Sequence, residues 1–344
     1  MSIEQLTERE RRVLETAIQT YIETAEPAAS QEVARRSSLG ISPASVRSTM
    51  SDLEGKGYLY HPHTSSGRIP TDRAYRVYVD GLILATPPTW TEQDALRREL
   101  RAEPSAFGDI LRRAAQVLGV LTRELGVAAS PGFDQAVLER LDLVPVAADR
   151  LLLVLHIRSG VVRTIFVAVP TSVAEDSVAR VAAILNERLA GATLAEIRTT
   201  LAERLRDAQA PGGGTELLNI FLAEGEEIFD LATPEGDLVL GSARLLADQP
   251  EFASNDRIRD LLTLTERRDV LARVLGNRGD RGLTITIGTE HADAELSGLT
   301  LVTSSYRVGD LTGVIGVLGP TRMPYDKIIG LVEHTSRLVE GLLE

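Results

Sequence analysis

The apolar residues Val13, Leu14, Ala17, Ile18, Tyr21 and Ile22 recur at the spacing of one helix face, and Thr7 with Glu10 makes a Thr-x-x-Glu capping box ahead of them. A first helix from about Glu8 to Thr24 is predicted. Glu26-Pro27 breaks it, and Ser30 can cap a short second helix to about Arg36 with Val33 and Ala34 turned inward. After the turn at Leu39-Gly40-Ile41, Ser42 as N-cap and Pro43 at the first helical position open a third helix. Its inner face carries Val46, Met50 and Leu53, and Gly55 and Gly57 end it. Tyr58-Leu59-Tyr60 reads as a strand and Ser65-Ser66-Gly67 as a hairpin tip, so a β-wing is expected. Thr71 caps a fourth helix carrying Ala74, Val77, Tyr78 and Leu82, and Thr86-Pro87-Pro88 reads as a linker.

Beyond the linker the pattern is helical and Arg-rich from Trp90 to Gly126. It then turns to β over Val137 to Val146, Leu151 to Ile157 and Val161 to Val169, the last two joined by a tight turn at Arg158-Ser159-Gly160. Helical patterning follows over Val173 to Leu189, Leu194 to Leu205, Glu216 to Leu231 and Ile258 to Leu275, with Pro211-Gly212-Gly213-Gly214 as a flexible joint. Strands return at Leu283 to Gly288, Leu299 to Val308 and Gly313 to Leu318, and a helix from Tyr325 to Leu343 closes the chain. The economical reading is one α/β domain whose sheet is interrupted by a helical insertion; two successive domains are the other option. The broad apolar face Val178, Val181, Ile184, Leu185 and Leu189 points to the insertion as the dimer contact.

The 344 residues lack any apolar run of bilayer length, and the first residues are charged, which argues against membrane and secretory readings. With no cysteine and five scattered histidines, thiolate metal sites, disulfides and cysteine nucleophiles are excluded, and a cytoplasmic location is expected. A formal charge of −12 speaks against indiscriminate binding to phosphate polymers, yet between Pro27 and Asp80 seven basic residues face five acids. All but Lys56 and Lys327 of the 37 basic residues are arginines, which looks like coding bias rather than phosphate chemistry at each position. Enzyme motifs are missing: there is no Gly-x-Ser-x-Gly, His-Glu-x-x-His or phosphate loop, and Gly313-x-x-Gly316-x-x-Gly319 suits a closely packed strand better. His61 and His63 face solvent or DNA more readily than a metal, and His156 and His334 should be packed. No catalytic, cofactor or metal residue is assigned.

Helix, helix, turn, helix and wing in this order form a winged helix-turn-helix, whose third helix enters the major groove while the wing touches the backbone or minor groove. With Val46, Met50 and Leu53 inside, Ser45, Arg47 and Ser48 project outward, and Arg47 is the candidate for bidentate pairing with guanine. Ser42 at the helix start, Ser66 and Arg68 on the wing, and Arg73 and Arg76 on the fourth helix are candidate phosphate contacts.

Several segments resemble the heat-inducible transcription repressor (HrcA) family of bacteria. They are Ala25 to Ser30, Gly40-Ile41-Ser42-Pro43-Ala44-Ser45-Val46-Arg47, Met50 to Glu54, Pro62 to Asp72, Tyr75 to Asp80, Pro250-Glu251-Phe252 and Gly319-Pro320-Thr321-Arg322-Met323-Pro324-Tyr325. Ala28, Ala29 and Ser48 depart from it, being small where the family often has larger or polar residues. The resemblance implies an α+β multidomain architecture: a winged helix-turn-helix domain at residues 1–88, a GAF-like α/β domain with an antiparallel sheet at 89–170 and 278–344, and a mainly helical inserted dimerisation domain at 171–277. It also implies a homodimeric repressor of chaperone operons on double-stranded inverted-repeat (CIRCE) operator DNA, kept active by a GroEL-type chaperonin. The alternative is a ligand-responsive winged-helix regulator with a small-molecule effector site in the GAF-like domain.

Overall fold

In the computed structural model, the described residues are 6–62, 67–82, 86–101, 107–169, 174–208, 214–232, 238–276, 278 and 282–343. The N-terminal unit follows its sequence signals closely. α1 spans Glu8–Thr24 with the Thr7–Glu10 capping box formed, α2 spans Ser30–Arg36, and α3 spans Pro43–Gly55 behind the Ser42 N-cap. Antiparallel β1 (Leu59–Tyr60) and β2 (Ile69–Pro70) form the base of the wing, and α4 (Asp72–Asp80) starts at the Thr71 cap. Ala28, in the α1–α2 connection, bridges Arg68 as a third short rung of the wing.

α5 (Trp90–Leu100) and α6 (Phe107–Thr122) lead into β3 (Leu125–Ala129), where the sequence pattern reads as continuing helix. All five β3 residues are buried, so the period-two alternation that betrays a strand is missing. A Cβ on Gly126 would lie 1.8 Å from the carbonyl oxygen of Ala115, so glycine is what lets α6 pack flat on this strand. β3 is the second strand of a five-stranded antiparallel sheet ordered β7-β3-β10-β9-β8, with β7 at Leu238–Leu240, β8 at Thr284–Ile287, β9 at Leu299–Val308 and β10 at Leu311–Pro320. α6 and α13 (Tyr325–Leu343) cover one face over Ile315, Val317 and Val302. α10 (Arg244–Ala247), α11 (Asn255–Glu266) and α12 (Arg268–Gly276) cover the other over Val127, Val314 and Leu318. Gly313, Gly316 and Gly319 lie in β10, where a Cβ would strike Tyr306, the Val302 carbonyl or Glu124.

β4 (Leu138–Ala147), β5 (Arg150–Ile157) and β6 (Val162–Ala168) do not join that sheet. They form a separate three-stranded antiparallel sheet, so the single interrupted sheet expected from strand order is in fact two. α7 (Glu175–Leu189), α8 (Leu194–Leu205) and α9 (Gly214–Ala232) share one core with its inner face, Leu141, Leu153, Leu155, Ile165 and Val167 among them. A boundary near residue 170 therefore runs through one packed unit, while α11 and α12, placed in the insertion by sequence, cover the five-stranded sheet. The proposed dimer face is corrected for the same reason. Val178, Val181, Leu185 and Leu189 are buried within the chain, because the three strands supply the cover that helices alone could not.

Candidate nucleic-acid interface

α3 is anchored by Val46, Thr49, Met50 and Leu53, all buried against α1, α2 and the wing base. The Ser42 hydroxyl accepts the Ser45 amide at 3.2 Å and donates to the Ser45 hydroxyl, fixing the first turn. Burying one stripe of a helix turns its other side outward. Arg47 and Ser48 are exposed and Ser45 is half-buried, so these residues stand together on the outer face of the first two turns. Arg47 makes no hydrogen bond or ion pair with any described residue.

The remaining candidates are placed differently. Arg68 is only 8% exposed; its Nε donates to Glu54 at 3.1 Å and its backbone exchanges hydrogen bonds with Ala28. It ties the wing base to the end of α3, and the phosphate contact expected of it is corrected to a structural one. Arg73 lies 4.5 Å over the Tyr58 ring and donates to the Lys56 carbonyl, holding α4 against the α3–β1 connection. Arg76 donates through Nε to Glu290 at 2.7 Å, through Nη2 to the Ile285 carbonyl, and through Nη1 to Asp80. Glu290, although partly desolvated, is held below the usual carboxylate range by Arg76 and by the Ile287 amide. Arg76 therefore faces the five-stranded body rather than a duplex. Ser66 and His63 fall outside the described residues. His156, expected to be packed, is half-exposed and sits 2.8 Å from Asp142.

What sequence reasoning missed is how the winged unit is seated. The Thr289 amide donates to Asp72, and Arg322 donates to the Ile22 carbonyl at 2.8 Å and to both oxygens of Glu251. Tyr325 packs against the rings of Tyr75 and Tyr78 at 5.8 and 6.5 Å. The signal was present, since Glu251, Arg322 and Tyr325 lie in segments that stand out by resemblance, but nothing local ties them to α1 and α4. A missed cation, Arg9 of α1, is exposed and donates through Nη2 to the Ser45 carbonyl at 3.0 Å. Among the described residues no cluster of three or more acidic or histidine side chains could hold a metal, and no helix is long and apolar enough to cross a membrane.

A winged helix-turn-helix with an exposed arginine on its third helix, seated on a larger α/β body, defines the class of DNA-binding regulators. A family model described as the HrcA protein C terminal domain matches residues 108–329. The chain is 37% identical over 350 residues to the heat-inducible transcription repressor HrcA of Chlorobium phaeovibrioides, covering 97% of this chain and 96% of the relative. It is 38% identical over 346 residues to that of Chlorobium phaeobacteroides, covering 97% of each. A crystal structure described as a hypothetical protein at 2.2 Å resolution aligns with a TM-score of 0.66 at 22% identity, over 98% of this chain and 99% of that one, a likeness of fold alone. The chain belongs to the HrcA family of heat-inducible transcription repressors, which are not enzymes.

Proposed function

We propose that the chain represses heat-shock chaperone operons by binding, as a homodimer, an inverted-repeat operator of the CIRCE type, with a GroEL-type chaperonin setting the competent fraction. The observation that carries the DNA reading is Arg47, an exposed cation on the outer face of α3 that no acid among the described residues occupies. Its planar fork suits O6 and N7 of guanine, with Ser45 and Ser48 beside it and Ser42 at the helix start for the backbone. In this reading residues 1–88 read DNA, the five-stranded body is the GAF-like domain, and the dimerising insert includes β4–β6 as well as α7–α9.

A palindrome asks for two recognition helices related by a two-fold axis, so a second copy must dock. The outer face of the three-stranded sheet is the surface that fits. Val144, Leu152 and Phe166 lie in one cross-strand row, with Phe166 65% exposed, and the far end of the sheet carries Arg140, Asp142 and His156. An apolar row beside charges of both signs is self-complementary across a two-fold, and it is not consumed by the chain's own core. Heat enters through marginal stability: chaperonin bound to the native form would raise the competent fraction, and unfolded clients would compete for it.

A nuclease footprint on the DNA upstream of the chain's own gene tests this. Two protected half-sites on one side of the duplex are expected, and their absence with and without chaperonin would overturn it. The alternative effector reading would seat its ligand in a cleft of about 540 Å³ between α11 and the Ala294–Leu299 segment, lined by Arg257, Asp260 and Glu295 among others. A rise in melting temperature with any small metabolite would favour it.

A further inference from the structure

We infer that Arg9 of α1 is a second phosphate-binding residue, acting from beside the recognition helix; this rests on the operator reading above and names a contact it lacks. Cations of the winged unit fall into two groups. Arg12, Arg36, Lys56 and Arg68 are each held by a carboxylate of the chain, at Glu8, Glu23 and Glu32, Glu10 and Glu54 respectively. A paired arginine reaching for a phosphate must first give up its carboxylate, which cancels much of the gain. Arg9 carries no such cost. It is exposed, its one partner among the described residues is the Ser45 carbonyl at 3.0 Å, and a carbonyl leaves the positive charge uncancelled.

That single bond does two things. It spends one of the five N–H donors of the guanidinium and leaves four, and it parks the charge beside the first turn of α3 at no further entropic cost when DNA arrives. Ser45 also shares a hydroxyl contact with Ser42, so Arg9, Ser42 and Ser45 are joined at the end of α3 that enters the groove. Arg47 projects from the same helix two residues on. A strand passing this end would meet Arg47 at base edges and Arg9 at its backbone. Such a contact is blind to sequence and is read by salt dependence.

The experiment compares the full-length wild type, Arg9→Gln, Arg9→Lys and Arg12→Gln. Each is titrated with salt on a palindromic duplex that the wild type itself enriches from a randomised pool, and on a mixed-sequence duplex of equal length. Expected for Arg9→Gln is a salt slope smaller by about 0.9 per protomer on both duplexes, with the preference between them and the melting temperature unchanged. Arg9→Lys should keep the slope, and Arg12→Gln should match the wild type. An unchanged slope in Arg9→Gln, with or without weaker binding, would make Arg9 a mere brace for α3 and overturn the inference. A wild type that enriches no palindrome from the pool overturns the operator reading itself, and the inference with it.

Discussion

Replacing Arg47 by alanine removes an exposed cation that the fold does not use, so stability should hold while affinity for the operator drops by about 1–3 kcal/mol and preference at one base pair relaxes. Arg68→Ala should act the other way. Its guanidinium is held inside the wing base by Glu54, so its loss should cost about 1.5–3 kcal/mol of stability, seen as a lower melting temperature before any effect on the salt slope. Glu124 yields a pH prediction. It is 2% exposed, with Gln249 donating to its carboxyl at 2.9 Å, and burial pushes its pKa well above the usual glutamate value. A raised folded-state value means that its contribution is fully present at low pH and is lost as pH climbs from the ordinary glutamate range. Melting temperatures of Glu124→Gln should therefore equal the wild type near pH 4 and exceed it at pH 8; a constant difference would refute the assignment. The outward residues of α3 were legible in the sequence, because Ser42, Pro43 and the Val46–Met50–Leu53 stripe fix which side is buried. The fates of Arg68 and Arg76 were not, since their partners stand 14 and 214 residues away and sequence distance says nothing about such pairs.

Elements with a cap and a one-sided stripe, such as α1, α3 and α8, declare themselves because local energetics and tertiary packing agree. β3 and β7 did not, one being buried on both faces and the other only three residues long. Which sheet a strand joins is a further step removed. β5 alternates cleanly and β6 does so from Thr164 onward, and alternation reports that one face of their sheet is covered without naming the cover. Its outer face is the testable part. Phe166 projects from β6 beside Leu152, is 65% exposed, and has the Arg150 guanidinium 5.8 Å from its ring. Phe166→Asp on the full chain should leave the fold's melting temperature nearly unchanged while placing like charges across the proposed two-fold. Sedimentation should then show a dimer dissociating at protein concentrations at least ten-fold higher than for the wild type. An undisturbed dimer would move the contact elsewhere and remove this sheet from the two-fold.

At the scale of the whole molecule, the proposed reading of a palindrome requires two recognition helices held at a set separation, which would make the seat of the winged unit part of the specificity. Two clamps fix that seat. Arg76 joins α4 to Glu290 and the Ile285 carbonyl, Arg322 joins the end of α1 to Glu251, and the tyrosines Tyr75, Tyr78 and Tyr325 fill the space between. One hydrophobic core runs from Val13 and Met50 through Tyr75 and Tyr325 into Ile315 and Val332, so the unit is docked rather than tethered by its linker alone. Arg76→Gln therefore separates two roles for one residue. If Arg76 met phosphate, the variant would show a shallower salt slope and an unchanged demand for half-site spacing. As a clamp, its loss should leave the salt slope intact and blunt the spacing demand. Measured on palindromes whose half-sites are moved apart by about half a helical turn, the wild type should lose affinity steeply and Arg76→Gln several-fold less, because a loosened unit can follow a displaced groove.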